Sequence, residues 1–176
     1  MAGYWNSNRK RKQSPQARAV SEGYRSGLED TLGADLNNRE IGAVFEAGAM
    51  KYTIPARVAE YTPDFFLRRD RGNVDPLPAD WFKDEDWWKV HFVVESKGRF
   101  MPDDRKKHLL IKEQYPFSDI KFVFDKKTLK SGKLSKSGGS DAPIYKGSKT
   151  TYGKWATKNG FIWADARIPE EWFDEV

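Results

Sequence analysis

The chain has 176 residues, of which 38% are hydrophobic and 14% aromatic, enough to bury the core of one globular domain. It has no cysteine, which excludes disulfides and thiolate metal sites and suits a reducing compartment. The sequence shows neither the apolar core of a signal peptide nor a run of membrane-spanning length. We therefore expect a soluble, cytoplasmic protein that makes no membrane contact.

The net charge of +5 is distributed unevenly along the chain. Residues 1–25 hold six Lys or Arg and one Glu, and residues 97–158 hold sixteen bases against six acids. Residues 70–95 hold seven acids against three bases. Separation of this kind indicates a polyanion-binding side, and nucleic acid is the first candidate partner.

Residues 1–24 are predicted to be a basic disordered tail, because they are polar and lack hydrophobic periodicity. The tail includes four consecutive basic residues, Arg9, Lys10, Arg11 and Lys12. They can bind DNA phosphates without sequence preference, or they can serve only as a solvated tail that aids solubility.

The first predicted helix runs from Ser26 to about Asn37. Ser26 suits the N-cap, and Glu29 follows at the spacing of a capping box. Glu29 therefore has a complete structural role, and the residues alone do not require a catalytic one.

Three strands are predicted next, around Ile41–Phe45, at Tyr52–Ile54 and at Tyr61–Leu67. The third carries Asp64 directly after a proline, so the strand is expected to begin near Asp64. Residues 70–88 are rich in acidic residues and tryptophan, and we expect an irregular excursion whose aromatic side chains fold back onto the domain.

The run Phe92–Val94 predicts a strand buried on both faces, which continues into Glu95 and Lys97. Side chains alternate along a strand, so Glu95 and Lys97 point the same way. The simplest interpretation is a strand end that surfaces with two solvated charges. If Asp64 lies on a neighbouring strand, the two carboxylates and a backbone carbonyl would instead suit Mg²⁺, with Lys97 beside a water, as in metal-assisted phosphodiester hydrolysis.

A second helix is predicted from Asp104 to about Gln114, with Asp103 as the N-cap and Leu109, Leu110 and Ile111 on the buried side. Its first two turns are basic through Arg105, Lys106, Lys107 and His108. A DNA-facing helix and a merely solvated basic face explain this pattern equally well.

The remaining elements alternate between strand and helix patterns. A strand is predicted at Ile120–Phe124, a Lys/Gly/Ser-rich loop at 126–141, a helix at Tyr152–Asn159, a strand at Phe161–Ala164 and a last helical turn at Pro169–Phe173.

The order of these motifs resembles the phage endonuclease I family, whose members resolve four-way DNA junctions. The resemblance covers most of the chain from Arg25 onward. It is carried by Arg25-Ser26-Gly27-Leu28-Glu29-Asp30, Tyr52-Thr53-Ile54-Pro55-Ala56, Tyr61-Thr62-Pro63-Asp64-Phe65, Val94-Glu95-Ser96-Lys97-Gly98, the run from Asp103 to Ile111, Tyr145-Lys146-Gly147-Ser148, Thr151-Tyr152-Gly153 and Ile168-Pro169-Glu170-Glu171-Trp172. The shorter pattern of Pro-Asp followed by Glu-x-Lys also resembles the core motif of the restriction-endonuclease-like superfamily.

The resemblance implies a role for each candidate site residue. Asp64 and Glu95 would bind Mg²⁺ or Mn²⁺, two ions per site, with the Ser96 carbonyl as a further ligand. Lys97 would lie beside the attacking water and the scissile phosphate, and Glu29 would complete the catalytic set.

The resemblance also implies an α/β fold of restriction-endonuclease type with a central mixed sheet, in a domain-swapped homodimer that acts on branched DNA. Residues 25–176 would form one endonuclease domain, in which residues 49–60 bridge the two halves and Glu29 comes from the opposite subunit. Residues 70–89 and 131–143 would be insertions relative to the family. If the protein is phage-encoded, it would act in the host cytoplasm.

Two alternatives remain open at this stage. One is a less selective nuclease that degrades nicked, flapped or duplex DNA. The other is a non-catalytic basic DNA-binding protein in which Asp64, Glu95 and Lys97 form an ordinary ion-pair cluster.

Overall fold

The computed structural model describes residues 26–54, 57–127, 129 and 131–174. Within these residues it contains four α-helices and seven strands. The helices are α1 (Gly27–Asn38), α2 (Glu85–Val90), α3 (Pro102–Gln114) and α4 (Tyr152–Lys158). The strands are β1 (Ala43–Phe45), β2 (Met50–Ile54), β3 (Arg57–Tyr61), β4 (Phe65–Arg68), β5 (His91–Lys97), β6 (Ile120–Phe124) and β7 (Ile162–Asp165). The predicted tail at 1–24, with Arg9, Lys10, Arg11 and Lys12, lies outside the described residues.

Five of the strands form a central sheet in the order β1-β4-β5-β6-β7. The β1–β4 and β4–β5 pairs are antiparallel, and the β5–β6 and β6–β7 pairs are parallel. The predicted α/β fold with a central mixed sheet is therefore confirmed. Strands β2 and β3 pair with each other in a separate antiparallel sheet, so residues 50–54 and 57–61 associate within one chain.

Alternating side chains of the central sheet build two hydrophobic cores, one on each face. Phe66, Val93 and Phe122 belong to the first core, and Phe65 and Val94 belong to the second. Leucines of α1 and the 3-10 turn Glu170–Phe173 cover the second core. Helix α3 and the aromatic residues of the 70–90 segment cover the first.

The acidic, tryptophan-rich segment packs its rings onto the sheet, as predicted. Trp81, Phe82, Trp87 and Trp88 are buried, and the Trp81 and Phe66 rings lie 5.0 Å apart. The segment is not irregular throughout, because it forms a 3-10 turn, Trp81–Lys83, followed by α2, which the sequence did not predict. Its acidic side chains point outward while the rings supply core contacts.

Two predicted elements are wrong in detail. Tyr61–Leu67 is not one strand, because Tyr61 ends β3. Strand β4 begins at Phe65, which confirms the predicted start near Asp64. Pro63 lies between them, and because proline lacks an amide hydrogen it suits a break in pairing.

The second predicted helix begins earlier than expected. Helix α3 starts at Pro102, since proline suits the first helical position. Asp103 is therefore not the N-cap. At the start of the helix, the Met101 amide donates a hydrogen bond to the Asp104 carboxylate at 3.1 Å. The buried side of α3 carries His108 and Ile111, one turn apart, while Leu109 is exposed.

The other predicted helices and strands are confirmed within a residue or two. Helix α1 begins at a Ser26–Glu29 capping box, β6 has the predicted bounds, and α4 ends before Gly160. None of the helices in the described part of the chain is long and apolar enough to cross a membrane.

Candidate active site

The predicted site residues meet where β4 begins and β5 ends. Because these strands are antiparallel neighbours, with Phe65 opposite Val94, Asp64 and Glu95 come together at one edge of the sheet. An open cavity of about 360 Å³ lies there. It is lined by Glu29, Glu60, Tyr61, Thr62, Asp64, Glu95, Ser96, Lys97 and Lys107. All four predicted catalytic side chains, Glu29 included, therefore border one cavity within a single chain.

Asp64 is a buried carboxyl, with 5% of its surface exposed. Its Oδ2 accepts hydrogen bonds from the Ser96 amide and the Ser96 hydroxyl, both at 2.7 Å. Burial and the neighbouring charge of Glu95 raise the pKa of Asp64 to about 7, although the Ser96 hydrogen bonds act in the opposite direction. A cation at this site would favour the ionised carboxylate.

Glu95 is equally buried but has cationic and hydrogen-bonding partners. Its Oε1 lies 2.6 Å from the Lys97 ammonium, and its Oε2 accepts a hydrogen bond from the Tyr61 hydroxyl at 2.8 Å. Burial, the largest single effect, opposes ionisation, but the charge and hydrogen bond of Lys97 together with the other cationic neighbours outweigh it, and the pKa of Glu95 is lowered to about 2. Glu95 is thus an anion throughout the neutral range.

Lys97 is held as a cation by the carboxylates around it. Its ammonium lies 2.6 Å from Glu95 Oε1 and 3.5 Å from Asp104 Oδ1. Burial, the largest single effect, would lower the pKa of Lys97, but the charge and hydrogen bond of Glu95 together with the charges of Asp104 and Asp64 more than compensate, and the pKa is raised. Lys97 can therefore donate hydrogen bonds and stabilise negative charge, whereas service as a neutral general base would require it to lose a strongly held proton.

Glu29 caps its helix and also lies at the cavity. Its carboxylate accepts a hydrogen bond from the Ser26 amide at 3.1 Å and thereby completes the capping box of α1. The same side chain borders the cavity, and its charge contributes to the raised pKa of Asp64. Capping fixes the position of Glu29 at the edge of the site.

The three helical side chains predicted to contact DNA have different surroundings. The Arg105 guanidinium donates to the Phe100 carbonyl. The Lys107 ammonium lies 3.8 Å from Glu95 Oε1 and 4.8 Å from the centre of the Tyr61 ring, so it faces the cavity. Lys106 is exposed on α3. The first turns of the helix thus supply one exposed cation and one that belongs to the site.

The sequence does not predict that Tyr61 and Lys107 line the cavity, although Lys107 is among the predicted DNA contacts. Tyr61 was assigned to a strand, and no local pattern indicates that its hydroxyl reaches Glu95, 34 residues away. Lys107 comes directly before His108 on α3, and the buried His108 ring lies 5.2 Å from the Tyr61 ring. This position in the helix was the available sequence signal that Lys107 lies near the site. Burial lowers the pKa of His108 to about 4, so His108 is a neutral packing residue at neutral pH.

The carboxylates of Asp64 and Glu95 suit a metal ion that takes only some of its ligands from the protein. Among the described residues, no three side chains of His, Cys, Asp or Glu stand close enough to hold a metal by themselves. Mg²⁺ is commonly held by one or two carboxylates, with waters and substrate phosphates completing its shell. Asp64 and Glu95, two adjacent buried carboxylates on an open cavity, fit that pattern.

Comparisons with known proteins point to one family. A family model described as phage endonuclease I matches residues 6–71 and 89–176, which include Glu29, Asp64, Glu95 and Lys97. Endonuclease I of Escherichia phage T7 is 38% identical over 152 residues, which cover 86% of this chain and 79% of that protein. Endodeoxyribonuclease 1 of Enterobacteria phage T3 is 37% identical over 146 residues, covering 83% and 74% respectively.

Proposed function

Because this chain belongs to the phage endonuclease I family and is a DNA-cleaving hydrolase, we propose that it is a metal-dependent enzyme that resolves four-way and other branched DNA. The observation that carries the proposal is the cavity where Glu29, Asp64, Glu95 and Lys97 meet. Family membership and this composite site weigh against a purely DNA-binding protein. We also propose that the domain is of restriction-endonuclease type.

The chain's own residues account for binding and charge stabilisation. Asp64, Glu95 and the Ser96 carbonyl would supply the protein ligands for two Mg²⁺ or Mn²⁺ ions, with water and phosphate oxygens as further ligands. Glu29 would complete the catalytic set beside them. The chemistry that such an ion would supply when bound is activation of a water and neutralisation of charge on the leaving oxygen. Lys97 donates to the scissile phosphate or the attacking water and stabilises the negative charge that develops in the transition state. Tyr61 fixes the orientation of Glu95 through its hydroxyl.

Junction selectivity is tested with substrates that differ only in branching. Single-turnover cleavage in Mg²⁺ is measured on a four-way junction and on linear duplexes that carry the same arm sequences, with the cut positions mapped on every strand. We expect paired cuts near the branch point and much slower cleavage of the duplexes. Equal rates on both substrates would instead identify the less selective DNA-degrading nuclease.

We further propose that the enzyme is a homodimer in which Glu29 completes the site of the opposite subunit, with residues 49–60 as the bridge. A symmetric pair of sites would cut two strands of one junction. A single chain already brings Glu29 to the cavity, so an exchanged dimer would rebuild the same contacts with Glu29 of its partner.

Glu29→Gln separates capping from catalysis. Glutamine keeps an oxygen that can accept from the Ser26 amide, so the fold is preserved while the charge is lost. We expect cleavage to fall by about a hundredfold or more with no loss of unfolding free energy. The matched control, Ser26→Ala, removes the cap hydroxyl, and it is expected to cost about 1 kcal/mol of stability while cleavage persists.

The same variant tests the shared site. Glu29→Gln and Asp64→Asn subunits are unfolded, mixed and refolded together, and nicking of a junction is measured. With exchange, a mixed dimer has one site built from Glu29 of one subunit and Asp64 of the other, so activity returns. Inactivity of dimers shown to be mixed would contradict the exchange, because every unexchanged site would then lack one of the two residues.

A further inference from the structure

One aromatic side chain stands apart from all the others in the described part of the chain. Tyr145 is 66% exposed, whereas every other described Phe, Trp and Tyr is buried or half-buried. Most of the other aromatic rings pack in or against the two hydrophobic cores. Exposure of one aromatic ring does not by itself indicate a function, because single exposed apolar residues are normal on protein surfaces.

The second observation is that Tyr145 is held in place although it is not packed. The Ser148 amide donates to the Tyr145 carbonyl at 3.0 Å, and the turn between them contains Gly147 at φ +86°, a conformation that favours glycine. Below this turn the Ile144 amide donates to the Thr150 carbonyl at 3.0 Å, and Pro143 pairs with Thr151. We call residues 143–151 the Tyr145 hairpin.

The third observation is that the Tyr145 hairpin stands at the same sheet edge as the active site. Strands β5 and β6 are parallel, with Lys97 beside Phe124, and the Asp125 amide donates to the Lys97 carbonyl at 2.9 Å. The hairpin leads into α4 at Thr151, the helix cap, and the ring of Tyr152 packs 5.7 Å from that of Phe124. The hairpin therefore leaves the body of the domain at the carboxyl end of β6, next to the end of β5.

The surroundings of Tyr145 are cationic. Lys146 and Lys149 are exposed on the same hairpin. Residues 142–164 contain four lysines and no Asp or Glu. Exposed lysines bind phosphates regardless of base, and an exposed aromatic ring can stack on any base that has left its helical stack.

We propose that the Tyr145 hairpin is a base-stacking element: Tyr145 stacks on an unstacked base at the branch point, and Lys146 and Lys149 bind the adjoining phosphates. This inference rests on the proposed action on branched DNA and specifies how branching is recognised. In linear duplex the bases are stacked on each other, so Tyr145 would have no face to contact. The hairpin would thus distinguish branched from linear DNA while the lysines bind both.

The test is a binding experiment with full-length protein in Ca²⁺, using a four-way junction that carries 2-aminopurine beside the branch point and a linear duplex of matching sequence. Base stacking on an aromatic ring is worth enough for Tyr145→Ala to weaken junction binding by about tenfold. We expect duplex binding by this variant to stay within about twofold of wild type. Tyr145→Phe keeps the ring and should behave as wild type in affinity and in 2-aminopurine fluorescence.

Two further variants serve as controls. Lys146→Ala should weaken junction and duplex binding by the same factor, since phosphates occur in both. Val90→Ala removes an exposed apolar side chain at the opposite edge of the sheet, where β5 begins, and should change neither. Urea unfolding should be unaffected by Tyr145→Ala, because the ring is solvent-exposed.

The outcomes separate this inference from the function on which it rests. If wild type prefers the junction and Tyr145→Ala retains that preference, the stacking role is overturned while junction resolution stands. Equal losses on junction and duplex would also overturn stacking and make Tyr145 a general DNA contact. If wild type itself shows no preference for the junction, the proposed function fails and this inference fails with it.

Discussion

Replacing Asp64 with asparagine is expected to abolish DNA cleavage and, at the same time, to stabilise the metal-free protein. The pKa of Asp64 is about 7 in the folded state and about 3.9 in an unfolded chain. Between these values the unfolded state loses its proton while the folded state keeps it, so folding stability falls as pH rises and stays low above pH 7. Asparagine cannot ionise, and its amide oxygen can still accept from Ser96.

The expected gain for Asp64→Asn is about 2 kcal/mol or more at pH 8, and it should shrink toward pH 4 as the wild-type carboxyl becomes protonated in both states. Urea unfolding followed by tryptophan fluorescence, in the presence of a chelator at several pH values, measures it. Added Mg²⁺ should stabilise wild type and leave the variant unchanged. A variant that is less stable than wild type at pH 8 would show that Asp64 is not an unfavourable buried charge.

Replacing Glu95 with glutamine is expected to abolish cleavage too, but with the opposite effect on stability. Glu95 is the 2.6 Å partner of the Lys97 ammonium and also faces Lys107. Removing one partner of a buried ion pair leaves the other charge uncompensated, which typically costs about 3–5 kcal/mol. Because the pKa of Glu95 is lowered to about 2 in the folded state, its contribution is present in full above the unfolded value of about 4.3 and is lost progressively as pH falls from there through about 2.

A double-mutant cycle with Lys97→Met isolates this pair. If the loss in Glu95→Gln comes from the unpaired ammonium, the double variant should recover much of the stability, since methionine leaves no charge behind. Additive losses would mean that Glu95 and Lys97 stabilise the fold independently. The two neighbouring carboxylates, Asp64 and Glu95, are thus expected to shift the unfolding free energy in opposite directions.

The parts of the site that depend on strand geometry were predictable from the sequence. Glu95 and Lys97 were expected on one side of a strand because side chains alternate, and their 2.6 Å contact confirms it. The capping box of Ser26 and Glu29 follows from local spacing, and it is present. Both depend on residues close together in sequence.

The remaining features depend on how distant segments pack. Tyr61 reaches Glu95 because β3 ends beside β5, which the periodicity of either strand does not reveal. The sequence predicts Leu109, Leu110 and Ile111 on the buried side of α3. Three consecutive residues cannot all face one side of a helix, and Leu109 is exposed. The opposite pKa shifts of Asp64 and Glu95 likewise depend on which of the two carboxylates contacts the Lys97 ammonium.

The most direct test of the central claim is single-turnover cleavage of an end-labelled four-way junction by wild type and Asp64→Asn, each with Mg²⁺ and with a chelator. We predict paired cuts near the branch point for wild type with Mg²⁺, and uncut junction in the other three reactions although the variant is folded. Cleavage by Asp64→Asn at the wild-type rate, or cleavage by wild type in the chelator, would contradict a metal-dependent site built on this carboxylate.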